Sequence, residues 1–170
     1  MDANEPASNS ANSPRPSRIP SWLYAWWPAL LWGAFISILS TDSFSSEHTS
    51  RIIIPILRWL IPSISPEMLG IVHHLIRKSA HFTEYFIFCL LLYHGVRASR
   101  RNKREWRWSY ALVAWLIAAV YSVLDEVHQI FVPSRGPSPW DSLIDSTGAL
   151  FALLVLFLLY RRLVRPTRAE

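Results

Sequence analysis

Two segments hold most of the residues that could do chemistry in an otherwise apolar chain. In the first, residues 78–85 (KSAHFTEY), Lys78, His81 and Tyr85 share one helical face at positions i, i+3 and i+7. Glu84 lies at the edge of this face. A cation, an imidazole and a carboxylate together are able to bind an anion and to transfer a proton. The structural alternative is a lysine that extends to the lipid headgroups and a glutamate that pairs with a neighbouring helix.

The second segment, residues 125–149, places further polar residues on a helix and the loop that follows it. Asp125, His128 and Gln129 share a face at i, i+3 and i+4. Glu126 points about 100° away from this face by helical geometry, toward a different helix. We assign Asp125 to proton transfer, and Gln129 and Glu126 to ligand binding. His128 by itself is typical of a histidine satisfied at an interface.

The loop and the next helix add an arginine and two acids. Arg135 lies in the tight loop PSRGPSP, where it either binds an anion bidentately or neutralises Asp141 or Glu126. Asp141 also has two interpretations, because Ser138-x-x-Asp with proline at the first helical position resembles a helix cap. Asp145 lies one turn further along the helix and cannot cap, so a functional role is favoured for it.

A metal site is a weaker alternative. His-x-x-Glu at His81 and Glu84, and Asp-x-x-His at Asp125 and His128, could supply mixed nitrogen and oxygen ligands. The sequence contains no HExxH motif, nucleophile elbow or phosphate-binding loop. We therefore assign neither a metal nor a cofactor.

Long apolar stretches must position these residues. Residues 22–40 carry no charge and match one bilayer crossing of about 20 residues. Three further uncharged stretches, at residues 85–96, 108–124 and 146–160, are shorter than a crossing, so each predicted helix must continue through ionisable residues. The sequence predicts an all-α membrane protein with four transmembrane helices.

The segment between the first two spans is interpreted as an outer interfacial or re-entrant element. Residues 51–62 (RIIIPILRWLIP) are apolar apart from two arginines, and Pro55 and the short length argue against a span. Ser65 as an N-cap and Pro66 as the first helical residue then predict a helix that runs into the second span.

Basic residues set the predicted orientation. Twelve of the 17 Lys and Arg residues lie in the two tails and in the loop between the second and third spans. By the positive-inside rule, both termini and this loop are cytoplasmic in a multi-pass protein of the cell membrane. At about 1.5 Å per residue from the cytoplasmic boundary, the candidate residues of the three helices lie roughly 20–32 Å up, in the outer third of the bilayer.

Composition supports the same organisation. Hydrophobic residues make up 51% of the chain, and the net charge of +5 comes from basic residues at the ends of apolar runs. This placement fits membrane lipids as partners and excludes a nucleic-acid partner. Residues 1–20 predict a disordered cytoplasmic tail, residues 21–162 the membrane domain and residues 163–170 a basic cytoplasmic tail. Cys89 is the single cysteine, which excludes an intramolecular disulfide.

Together the two segments resemble the VanZ-like family of small bacterial membrane proteins. The pattern is a Lys and His-Phe before Glu and Tyr, then Asp-Glu-x-x-Gln, an Arg in a Pro-containing loop, and Asp-x-x-x-Asn/Asp-x-x-Gly. The matching positions are Lys78, His81, Phe82, Glu84, Tyr85, Asp125, Glu126, Gln129, Pro133, Arg135, Asp141, Asp145 and Gly148. Ala152 departs from the pattern, because a second Gly is common there. The resemblance covers about residues 22–160 and implies the fold and the site. The founding member of the family is associated with resistance to the lipid-tailed glycopeptide teicoplanin.

Three functional hypotheses follow. The first is a polar site at the outer leaflet that binds or modifies a cell-envelope amphiphile, which leaves open whether the protein is an enzyme. Its catalytic candidates are His81, Glu84, Asp125 and Asp145. Its ligand-binding candidates are Lys78, Tyr85, Glu126, Gln129, Arg135 and Asp141. The second is a structural or interaction protein whose charged cluster fixes helix packing. The third, a proton-coupled carrier, is disfavoured because no ionisable relay reaches the cytoplasmic side.

Overall fold

The computed structural model describes residues 21–41, 46–99, 105–132 and 138–163. These residues form five α-helices: α1 Ser21–Leu39, α2 Ser46–Leu60, α3 Pro66–Ala98, α4 Trp108–Gln129 and α5 Pro139–Leu163. The described part of the chain contains no strand, which confirms the all-α class. The predicted N-terminal tail, Arg135 and all but the first residue of the predicted C-terminal tail lie outside the described residues.

Helix α3 is the central element of the bundle. Its 33 residues extend about 50 Å at 1.5 Å per residue. The hydroxyl of Ser65 caps it by accepting a hydrogen bond from the amide of Met68 at 3.3 Å, and Pro66 is its first residue. The prediction of one helix from this cap into the second apolar stretch is therefore confirmed. Helix α3 packs against each of the other four helices, and most extensively against α5.

Small residues allow α5 to approach α3 closely. A Cβ atom built on Gly148 would lie 2.4 Å from the carbonyl oxygen of Phe82, so a side chain there would collide with the backbone of α3. Ala149 and Ala152 on the same face of α5 are fully buried. Close helix contact through small residues is typical of packing inside membranes. Ala152 thus fits tight packing at the position where the VanZ-like pattern commonly has glycine.

The bundle combines buried polar residues beside its apolar core with an exposed apolar surface. Ser122, Asp125 and Asp145 are buried in the interior. The outward faces of α4 and α5 are largely apolar, with Leu116 and Leu154 among many exposed large hydrophobic side chains. An exposed apolar surface of this extent marks contact with a membrane or a partner.

Two helices meet the length and composition of a membrane span. These are α4 and α5, and α1 contributes a shorter apolar helix at Leu23–Leu39. Helix α2 is different, because it is short, contains Pro55 inside the helix and leaves Ile52, Ile56 and Trp59 exposed.

Candidate functional site

His81 and Asp145 form the centre of a buried polar cluster at one end of the bundle. Asp145 on α5 is only 1% exposed, and its Oδ1 lies 3.6 Å from Nδ1 of His81 on α3. This separation is an ion-pair distance and is too long for a hydrogen bond. Neither of the two atoms has a hydrogen-bond partner among the described residues. The contact exists because Gly148, one turn beyond Asp145, lets α5 lie against the α3 backbone at Phe82, the residue after His81.

A buried serine fixes the second oxygen of Asp145. The hydroxyl of Ser122 on α4 donates a hydrogen bond to Oδ2 of Asp145 at 2.8 Å. Ser122 is fully buried, so this bond is shielded from water. Three helices therefore contribute one residue each to a chain that runs from Ser122 through Asp145 to His81. Enzymes position a histidine base with a buried carboxylate hydrogen-bonded to the imidazole, and Asp145 lies beside His81 in a similar order but at the longer ion-pair distance.

Asp125 ties the end of α1 to α4. Its Oδ2 accepts a hydrogen bond from the hydroxyl of Ser40 at 2.6 Å and a longer one from Nε2 of Gln129 at 3.5 Å. The predicted shared face of Asp125 and Gln129 is therefore present. Gln129 is buried and donates this bond from one turn further along the same helix.

Glu126 and Asp141 each hold the beginning of α5. Oε2 of Glu126 accepts a hydrogen bond at 2.7 Å from the backbone amide of Ser138, the residue just before α5. Asp141, in the first turn of α5, forms an ion pair with Lys78 of α3. Glu126 thus contacts a different element from Asp125, as helical geometry predicts. The carboxylate of Asp141 joins α5 to α3 in addition to lying in the first turn, where a negative charge complements the helix dipole.

A cavity of about 190 Å³ lies beside this cluster, and we call it the polar cavity because ionisable side chains contribute to its lining. Its lining combines residues from α1, α2 and α3 with Ser40, which follows α1: Leu39, Ser40, Thr49, Arg77, Ala80, His81 and Glu84. His81 therefore has Asp145 on one side and the cavity on the other. The cavity brings together a guanidinium, an imidazole, a carboxylate and two hydroxyl groups, which are groups able to bind a charged head and to transfer protons.

The predicted site residues divide into those at this cavity and those behind it. His81 and Glu84 line the cavity, and Asp125 borders a second cavity of about 210 Å³ with Tyr121 and His128. Tyr85 is completely buried in the core, and its hydroxyl has no partner in the described part of the chain. The remaining described candidates support these residues from behind and do not line the cavity: Lys78, Glu126, Gln129, Asp141 and Asp145.

Sequence reasoning did not select Arg77, Ser40 or Ser122. Ser122 lies at i−3 from Asp125 and is the hydroxyl residue on the buried face of α4, so its position was a usable signal. Ser40 directly follows α1 in a polar stretch, where a serine has no distinctive pattern. Arg77 precedes Lys78, and sequence alone gives no reason to prefer one cation over the other. In the described ranges, no group of three or more His, Cys, Asp and Glu side chains is arranged to hold a metal ion.

Comparison with known proteins gives one match. The model of the VanZ/LLP1 family matches residues 21–160, which include all five helices except the last three residues of α5. No curated protein and no solved structure matches the chain.

Proposed function

The chain belongs to the VanZ/LLP1 family, and on that premise we propose that it is a four-span membrane protein that binds or modifies a cell-envelope amphiphile at the outer leaflet. The observation that carries this proposal is the His81–Asp145 pair, whose imidazole borders a polar cavity inside a bundle with an apolar exterior. Ionisable residues kept inside such a bundle are costly and by default mark a functional site.

The proposed arrangement in the membrane uses four of the five helices. Helices α1, α3, α4 and α5 cross the bilayer, with both termini on the cytoplasmic side because basic residues concentrate there. Helix α2 lies in the outer interface, where its exposed Ile52, Ile56 and Trp59 enter the lipid. The exposed leucines of α4 and α5 then face acyl chains rather than water. The polar cluster lies at the C-terminal ends of α1 and α4, which is the outer end in this orientation.

His81 is the proposed proton-transfer group. Because Nδ1 is turned toward Asp145, Nε2 is the nitrogen left for a ligand in the cavity. The Asp145 carboxylate attracts a protonated imidazole across 3.6 Å, and Ser122 keeps the carboxylate in place. Glu84 provides a second acid at the cavity wall, and Arg77 provides the cation that holds an anionic head.

An amphiphile is the ligand class that this location favours. A polar head at the outer interface would reach the cavity, whereas the tail would stay in the hydrocarbon beside the apolar helix faces. The association of the family's founding member with resistance to teicoplanin, a lipid-tailed glycopeptide, is consistent with a ligand of this kind. The proposal therefore extends to protection of cells against such molecules.

Helix packing is the second candidate function, and specific contacts favour it. The Lys78–Asp141 ion pair, the Ser40–Asp125 hydrogen bond and the bond from Ser138 to Glu126 each join two separate elements. A cluster made only of such pairs would fix helix register without binding a ligand. The cavity beside His81 is what this alternative leaves unexplained.

The test compares two histidines of the same helix. We expect the parent chain to protect the cells that express it against teicoplanin. His81→Gln should abolish this protection, because glutamine cannot accept and release a proton. His94→Gln is the matched control, since His94 is exposed on α3 away from the cavity. Immunoblots of isolated membranes check that all three proteins are inserted at equal amounts.

Two outcomes count against the proposal. Full protection by His81→Gln at normal membrane levels would remove His81 from the function. A parent chain that gives no protection would remove the antibiotic from the proposal.

A further inference from the structure

A second groove between α1 and α3 lies next to the polar cavity. Its volume is about 390 Å³, and Trp32, Phe35, Ile76 and Ile87 supply its apolar walls. Two residues of α3, Ala80 and Glu84, line both the groove and the polar cavity. The two spaces are therefore neighbours along α3. Ionisable side chains contribute to the lining of the cavity, whereas aromatic and aliphatic side chains form most of the groove beside Ser79, Thr83 and Glu84.

The polar cavity has room for a small charged head. Its volume is about 190 Å³, and a phosphate group with a few further atoms fits this space. Arg77 supplies the positive charge among the described lining residues, which favours an anionic head.

Glu84 lies where the head and the tail of such a ligand would join. A phosphomonoester retains one proton in part of its population near neutral pH, because its second pKa is about 6. That proton is available for donation to the Glu84 carboxylate while Arg77 binds the other phosphate oxygens. The two residues line the same cavity.

We infer that the ligand is a phosphate-headed lipid that enters sideways from the membrane, with its head in the polar cavity and one acyl tail in the groove between α1 and α3. This inference rests on the proposed function. A tail gains little by leaving the hydrocarbon, and a charged head crosses hydrocarbon only at a high cost. Lateral entry past Ala80 and Glu84 satisfies both conditions, because the tail stays beside the aromatic and aliphatic side chains of the groove while the head reaches Arg77 and His81.

The experiment fills the groove without touching the cavity. Thr83 is exposed, lines the groove but not the cavity, and its hydroxyl bonds only to the carbonyl of Ser79 in the preceding turn. Thr83→Phe therefore places a ring in the groove. Thr147→Phe is the matched control, because Thr147 is an exposed threonine of α5 with the same bond to Leu143 and lies in neither space.

Two probes share one head and differ in their tails. Native mass spectrometry of the detergent-solubilised full chain measures binding of dioleoyl phosphatidic acid and of glycerol 3-phosphate. We expect Thr83→Phe to weaken phosphatidic acid binding by about tenfold, as overpacking of a filled site does, and to leave glycerol 3-phosphate binding unchanged. Thr147→Phe should bind both probes as the parent does. Arg77→Gln should weaken the binding of both probes.

The results distinguish a failure of the lateral-entry inference from a failure of the proposed function. Unchanged phosphatidic acid binding by Thr83→Phe, with a parent that binds the lipid, overturns lateral entry and leaves the proposed function standing. Equal loss of both probes in Thr83→Phe also overturns it, because the substitution then acts on the cavity and not on the tail. A parent that binds neither probe, with Arg77→Gln no different, overturns the phosphate-binding site and the inference together.

Discussion

Replacing Asp145 by asparagine distinguishes a functional role of the polar cluster from a purely structural one. The side chain is 1% exposed, lies 3.6 Å from Nδ1 of His81 and accepts a hydrogen bond from Ser122 at 2.8 Å. Asparagine keeps the shape and one carbonyl oxygen, which still accepts the bond from Ser122. The substitution therefore removes the negative charge and leaves the packing intact.

The effect of Asp145→Asn on stability is a small difference between opposing contributions. At 3.6 Å and an effective dielectric constant of 20, the attraction between a carboxylate and an imidazolium is roughly 5 kcal/mol before desolvation is counted. Burying the charge costs several kcal/mol, and Asp145 also repels the Glu126 carboxylate. In the functional interpretation the two effects nearly cancel. We expect the free energy of unfolding to change by about 1 kcal/mol, which corresponds to about 2–4 °C in Tm.

The structural interpretation of the cluster predicts a much larger change in stability. If Asp145 serves only to pair with His81, its removal strands a buried partner and costs about 3–5 kcal/mol. The expected decrease in Tm is then roughly 6–20 °C. Thermal unfolding in detergent, followed by intrinsic tryptophan fluorescence, distinguishes this range from a change of a few degrees.

The same variant should lose function. Positioned acid–base groups contribute about 10²–10⁴-fold to a rate, so Asp145→Asn should lower any turnover by that range and abolish teicoplanin protection. Ser122→Ala removes only the hydrogen bond to Asp145 and should give an intermediate loss. A folded Asp145→Asn protein with full protection, or one that unfolds and disappears from the membrane, would refute the reasoning about this pair.

The remaining predictions concern topology and helix packing. Single cysteines introduced at positions 102 and 138 should differ in their labelling by an impermeant thiol reagent in intact cells. We expect the cysteine that replaces Ser138 to be labelled and the one that replaces Asn102 to be protected; the opposite result would invert the orientation. Gly148→Ala should lower the free energy of unfolding by about 1–3 kcal/mol, because its Cβ would lie 2.4 Å from the Phe82 carbonyl oxygen. Gly70→Ala is the control, since nothing lies within 4 Å of its Cβ and helix propensity favours alanine by about 1 kcal/mol. Thermal melts in which Gly148→Ala is as stable as Gly70→Ala would show that the close contact of α3 and α5 is absent.

Local sequence signals determined the helices themselves. Apolar runs marked α1, α4 and α5, and Ser65 with Pro66 marked the start of α3 because a cap and a proline act within one turn. The resemblance to the VanZ-like family, which the match to residues 21–160 confirms, was also readable from the polar segments. These features depend on neighbours along the chain and are readable without the fold.

The sequence did not predict which polar side chains pair with each other. Helical periodicity placed Lys78 and His81 on one face, yet it left open that Lys78 pairs with Asp141 and His81 with Asp145. These pairs depend on how far α5 is shifted along α3. That shift is fixed by Gly148 against the Phe82 backbone, a contact between residues far apart in sequence.

The sequence by itself determined which residue types are available for chemistry and on which helical faces they lie. Only the tertiary structure decided that His81 faces a polar cavity with Arg77 and Glu84, while Tyr85, one turn away, is enclosed in the core. The physical reason is that helix rotation and axial offset come from side-chain packing between helices. A change of one turn in the offset of α5 along α3 would have given Asp141 and Asp145 different partners on α3.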